Sequence, residues 1–322
     1  MGENPSDTLA KTTTHSLFEK IQEDQIKQLI LTADFDKLIN TRFDKDAPKE
    51  QATITLQSDS TEWQLPVKLA LRGRFRRKVC DFPPIKLDFP KARLQEMGLH
   101  PKFDELKLVT HCLDGAESDQ TLLKEYWAYR LYNQLTPNSF KVHLVKITYL
   151  DVNNPSQTEE RLAFLIENNK ELANRIGGKL VSKFGMKPEQ LDSTSYYKTL
   201  LYNFMVGNLD WSLLAQRNIK YLQKEDSSLI VIPYDFDQSA IVKAPYARPH
   251  PDAGQKKLED RLLLGHFPDT ETMYAFLQKF SNARDQFGVF NQCSHLSNKH
   301  KLRMTAYLDS FYKPLDLSLI HI

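Results

Sequence analysis

Gly207-Asn208-Leu209-Asp210-Trp211, followed by Asn218 and then by Ile232-Pro233-Tyr234-Asp235-Phe236-Asp237, decides the reading of this 322-residue chain. An apolar helix carrying Leu200, Leu201, Phe204 and Met205 runs into Gly207. Two short strands follow, Asn218–Gln223 and Leu229–Pro233, and the second ends in acids. A carboxylate held rigidly just past a helix end is placed to orient and deprotonate a hydroxyl, so Asp210 is the candidate catalytic residue. The alternative for Asp210 is a capping turn that ties up backbone groups. Asp235 and Asp237 stand two apart, which in a strand puts them on one side. Two such carboxylates repel unless something positive lies between them. A divalent metal is the usual solution, with Asn218 adding a neutral oxygen. The alternative is a pair of solvated turn acids.

Upstream, the texture is strand-rich. Ala52–Leu56, Gln64–Leu71, Ile85–Phe89, Leu106–Thr110, Val142–Val152 and Leu162–Glu167 read as strands from their alternation and flanking turn residues. Ser16–Leu31 reads as a helix with Phe18, Ile21, Ile26 and Leu29 on its apolar side. Gln120–Leu135 is the most persuasive helix of the first half, because Leu123, Trp127, Leu131 and Leu135 repeat every four residues. Lys86 lies in an otherwise apolar strand and needs an anionic partner there. Glu125, off the apolar stripe of the helix, is the candidate. Otherwise Lys86 is a surface lysine. The run Arg72-Gly73-Arg74-Phe75-Arg76-Arg77-Lys78 has five cations in seven positions. It suits a phosphate clamp, a docking patch or a solvated loop. After Glu167, helices dominate, over 168–175, 187–193, 194–206, Asp269–Phe280 and Leu296–Tyr312.

Composition narrows the class. Net charge is +2, which calls for no nucleic-acid partner. No apolar run is long enough for a transmembrane segment. Cys80, Cys112 and Cys293 allow at most one bridge and no zinc framework; Cys80 and Cys112 read as inert packing residues. There is no Walker pattern, no G-x-G-x-x-G, no HExxH and no G-x-S-x-G. Residues 1–14 read as disordered; Gly2 with Ser6 fits a myristoylation pattern, but a start that replaced a removed leader fits better. On that reading the natural protein is exported.

In order along the chain, these motifs resemble the spore coat protein H (CotH) kinase family. The resemblance rests on Arg72-Gly73 ahead of Lys86, on Leu122-Leu123-Lys124-Glu125-Tyr126-Trp127-Ala128-Tyr129-Arg130, on Phe164-Leu165-Ile166-Glu167, and on the Asp210, Asn218 and Asp235 segments. It covers roughly residues 50–310. It implies an α+β, atypical protein-kinase-like fold of two lobes. Residues 15–167 would form a strand-rich N-terminal lobe and 168–322 a helical C-terminal lobe. It implies transfer of phosphate from ATP, with Mg2+ or Mn2+, to Ser/Thr of a secreted, periplasmic or surface protein acceptor. Arg72, Lys86, Glu125 and Glu167 would bind nucleotide, Asp210 would serve the acceptor hydroxyl, and Asn218, Asp235 and Asp237 would hold metal. Asn218 follows Asp210 by eight positions, against five in HRDxxxxN. Either the extra residues bulge outward or Asn218 is not the ligand. Two further readings are a catalytically weak surface or coat binding protein and a metal-dependent phosphoesterase using Asp235 and Asp237.

Overall fold

The computed structural model describes residues 15–44, 46–156 and 158–319, with side chains through residue 313. The Gly2/Ser6 pattern and the N-terminal segment read as disordered lie outside these residues. In chain order the elements are α1 (Leu17–Glu23), β1 (Gln28–Ala33), α2 (Phe35–Asn40), β2 (Glu50–Gln57), β3 (Glu62–Leu71), α3 (Arg76–Val79), β4 (Ile85–Asp88), α4 (Lys91–Glu96), β5 (Glu105–Val109), α5 (Ala116–Leu135), β6 (Val142–Asp151) and β7 (Thr158–Ile166). Then come α6 (Asn169–Ile176), β8 (Gly178–Val181), α7 (Ser193–Val206), β9 (Ile219–Lys224), β10 (Leu229–Pro233), α8 (Thr270–Asn282), α9 (Arg284–Phe287) and α10 (Asn298–Leu319).

The first seven strands close into a mixed barrel in the order β1-β2-β3-β4-β5-β7-β6. All neighbours are antiparallel except β1 and β6, which run parallel with Gln28 opposite Lys146 and Ala33 opposite Asp151. The expected two-lobed, kinase-like architecture is thereby corrected: the chain forms a closed seven-stranded barrel with helices attached. The physical reason is β1. The stretch Ser16–Leu31, read as one helix, splits into two elements. Ser16 and Glu19 form a capping box that starts α1, and Asp24 closes it after two turns. Beyond Gln25, at φ 50°, the chain turns extended, and Leu29, Leu31 and Ala33 point inward. That strand bridges β2 and β6 and removes both open edges of the sheet.

Alternation fills the barrel. Leu29, Leu31, Ile54, Leu56, Leu65, Val67, Leu69, Ile85, Leu87, Leu106, Leu108, Val145, Ile147 and Leu165 form one buried cluster, capped by Leu17, Phe18 and Ile21 of α1. The opposite face of β7 is also apolar: Phe164 and Ile166 pack outward against α5. Thus α5 is buried on nearly every side between the barrel and α7, α9 and α10. A small sheet, β10-β9-β8, lies against α7. No helix among the described residues is long and apolar enough to cross a membrane.

Cys80 and Cys112 form a disulfide across 32 positions, joining the end of α3 to the segment after β5. The sequence left room for at most one bridge among three cysteines, and the structure forms it between these two rather than leaving them as inert packing residues. Closing a loop of this length removes chain entropy worth about 3–4 kcal/mol from the unfolded state. Cys80→Ala/Cys112→Ala should lose stability of that order in urea melts, and reductant should lower the parent protein to the same midpoint without affecting the double variant.

Candidate functional site

The β9–β10 hairpin sets the site. Pro233 lies opposite Ile219, so Asn218 and Asp235 emerge at the same end. The Tyr234 amide donates to the Asn218 carbonyl at 3.0 Å and fixes that closure. Both residues take left-handed backbone, at φ 52° for Asn218 and 63° for Asp235. Asn and Asp tolerate this region better than other side chains, yet it remains costly and tends to mark functional sites. The Asp235 amide is held by the Tyr129 hydroxyl at 2.8 Å.

Asp210 reaches the same place from α7. That helix ends at Gly207 in the left-handed conformation, φ 65°. A side chain there would also collide with Tyr307 and lie 2.7 Å from the Ala240 Cβ, so the turn needs glycine. Asn208 is buried and bonded to Asn203, and its Oδ1 accepts the Asp210 amide at 3.1 Å. The eight-residue spacing is resolved by an outward loop pinned by a Ser212–Arg217 bridge. Asn218 Nδ2 then donates to the Asp210 carbonyl at 2.7 Å and to Oδ2 at 2.9 Å. Arg217 Nε sits 3.1 Å from Asp210 Oδ1. Burial raises the Asp210 pKa; Arg217 opposes it and Asp235 adds to it. Asp210, Asn218, Asp235 and Asp237 all line one cleft of about 690 Å3, together with Arg74, Arg217 and Arg248.

The positive group between Asp235 and Asp237 is Arg76. Its Nε donates to Asp237 Oδ2 at 2.9 Å, and one terminal nitrogen donates to Glu125 Oε1 at 2.6 Å and to Asp235 Oδ1 at 3.1 Å. Arg76, Glu125 and Asp237 are buried, whereas the Asp235 side chain is 38% exposed to the cleft. Burial pushes the Glu125 and Asp237 carboxyls up, and Arg76 holds them back. The pair expected between Lys86 and Glu125 is not formed. Lys86 bonds Glu105 at 2.8 Å on the barrel's outer face, and Glu125 belongs to Arg76. Glu167 is fully buried and saturated: it accepts from the Lys141 amide at 2.6 Å and from Arg175 at 2.6 and 3.2 Å.

Arg72 stands next to Asp235 with two lysines that the sequence reading missed. Lys107 of β5 lies over the Phe140 ring and Lys220 of β9 over the Tyr234 ring, at 4.4 and 5.0 Å. Burial lowers the Lys107 pKa well below the usual ammonium range, and Arg72 and Lys220 lower it further. Lys220 is lowered by burial and then by Arg72. Among the described residues none of these three cations has a carboxylate within 4.0 Å. The sequence signal for Lys107 was its place in the apolar strand Leu106-Lys107-Leu108, the same signal that drew attention to Lys86.

Replacing Arg76 by Met leaves Glu125 and Asp237 buried without their cation, which costs about 3–5 kcal/mol. Carboxyls with raised pKa values lose this penalty as pH falls and they take up protons. Urea melts should therefore show Arg76→Met losing more stability at pH 8 than at pH 5.5; an equal loss at both would remove charge as the cause. No family model matches the chain, and none of the curated proteins matches it either.

Proposed function

We propose that the protein transfers the terminal phosphoryl group of ATP, with Mg2+ or Mn2+, to a hydroxyl of a protein acceptor, as its resemblance to the CotH kinase family implies. One observation carries the reading: Arg72, which lines a small cavity with Asp235, is close enough to Lys107 and Lys220 to depress both, none of the three has a carboxylate partner among the described residues, and Asp235 also lines the cleft that holds Asp210 and Asn218. Cations that depress one another call for an anion, and a polyphosphate supplies several negative charges at once. Asp210 accepts the acceptor hydroxyl's proton while the hydroxyl oxygen bonds to the terminal phosphorus and ADP leaves with the bond's electron pair. Arg72, Lys107 and Lys220 neutralise the phosphates.

The donor set fits a hard divalent ion. Asp235 is half-open to the cleft, and Asn218 spends its amide nitrogen on Asp210, which leaves its oxygen for coordination. These two residues would hold the ion. Once bound, Mg2+ or Mn2+ offsets charge on the phosphates. Asp237 supports the site from behind, through Arg76. A phosphoesterase pair would need Asp235 and Asp237 to share the ion, and Arg76 lies between them. The same guanidinium favours a second reading, a binding protein that holds nucleotide without efficient transfer, because it leaves only one carboxylate open to metal.

The Cys80–Cys112 bond supports an oxidising location, namely secreted, periplasmic or at the cell surface.

Thermal melts with ATP, with Mg2+ or Mn2+, and with both should show a shift that needs both ligands and disappears in Asp235→Ala. Asp210→Ala should keep that shift but lose transfer at least a hundredfold. Full transfer in either variant would end the proposal, and a shift without transfer in the parent protein would establish the second reading. The raised Asp210 pKa moves the acid limb of activity to higher pH than a solvated aspartate would give, since the base works only when ionised. Arg217→Gln removes the main opposing charge, so the limb should move to higher pH; a stationary limb would assign the base elsewhere.

A further inference from the structure

A second group of donors lies away from the cleft, where β5 leads into α5. His111 follows β5, Asp114 sits in the turn before α5, and Glu159 projects from β7. One potential ligand atom from each lies within 4.8 Å of the other two. His111 is only 3% exposed and stacks on Phe82, with ring centroids 5.2 Å apart and planes 15° from parallel. Its Nδ1 is enclosed and has no hydrogen-bond partner among the described residues. A buried polar group without a partner is costly and calls for an explanation. Asp114 and Glu159 are exposed.

We infer that His111, Asp114 and Glu159 form a divalent-metal site, separate from Asp235, whose nitrogen-plus-two-carboxylate donor set suits Zn2+. Imidazole nitrogen favours Zn2+ over Mg2+, and three protein ligands leave a position for water. Arg161 is the cation closest to the cluster, 3.4 Å from Glu159 Oε1. It is also held by Asp119 at 3.2 Å and by the carbonyls of Leu113 and Gly115. Glu159 can therefore turn one oxygen to an ion without stranding Arg161. The ion would pin the start of α5 to the barrel, next to the Cys80–Cys112 bond.

Calorimetric titration of the full chain with Zn2+ alone, without nucleotide, tests this. One equivalent should bind, and both Asp114→Asn and Glu159→Gln should weaken it at least tenfold. Both positions are exposed, so the variants avoid the folding risk of replacing buried His111. Asp235→Asn and Cys293→Ser should bind Zn2+ as the parent protein does. Absence of binding, binding indifferent to both cluster variants, or binding lost in Asp235→Asn or Cys293→Ser would overturn the inference.

Discussion

A single guanidinium, that of Arg76, faces three carboxylates, and the geometry of the cleft depends on it. The four residues come from three distant parts of the chain: α3 at the barrel's edge, the middle of α5, and the segment after β10. Three buried or half-buried acids within reach of one another would not ionise together without it. Arg suits the position better than Lys, because its planar fork presents separate donors and it stays charged when desolvated. The cage sets one guanidinium among three carboxyls, two of which, Glu125 and Asp237, are pushed up by burial. The acid best exposed to solvent, Asp235, is where the cage meets the cleft.

The arrangement that delivers Arg76 is set by the barrel. β3 pairs with β4, and the chain between them folds through Gly73, at φ 79°, into the short helix α3. Such a helix has little stability of its own. It is fixed at one end by Arg76 itself and just past the other by the Cys80–Cys112 bond. That bond runs to the lead-in of α5, which carries Glu125. Covalent and ionic links thus join the same two segments, so Arg76 and Glu125 are positioned twice over. The barrel contributes rigidity because it has no free edge along which β3 or β5 could slip.

How much of this was legible in the sequence varies by residue, for physical reasons. The hairpin ending in Asp235 was readable because Leu229–Ile232 is a short apolar run bounded by turn residues, and a two-stranded hairpin is a local structure. The cleft position of Asp210 followed from Gly207, since a glycine at a helix end has a local cause. β1 was not readable. Gln28–Ala33 has apolar residues that fit either period when joined to the preceding helix, and only its long-range pairing with β6 makes it a strand. Arg76 was hidden for a related reason. Five cations in seven positions look solvated, and which one turns inward depends on acids more than 45 positions away. Lys86 and Lys107 are directly opposite on neighbouring strands, and both sit in apolar strands. What separates them is Glu105, which takes Lys86, and the Asn169 side chain and Phe140 ring, which hold Lys107.

Unfavourable features accumulate on one side of this molecule. Asp235 and Asn218 hold strained backbone, Asp210 is a carboxyl whose ionisation is opposed by burial, and Arg72, Lys107 and Lys220 repel one another. Elsewhere local preferences and tertiary packing agree, as in the alternating barrel strands and the capped helices. A fold tolerates such a concentration of conflict only where its surroundings over-determine the geometry. Here those surroundings are the Arg76 cage, the Tyr129 hydroxyl on the Asp235 amide and the Asn218 bridge to Asp210. Each conflict is of a kind that a bound polyanion with a divalent ion relieves: excess cations gain a counter-charge, and crowded acids gain a cation. The two sets are adjacent and opposite in sign, and that complementarity is the physical basis on which the proposed nucleotide–metal reading rests.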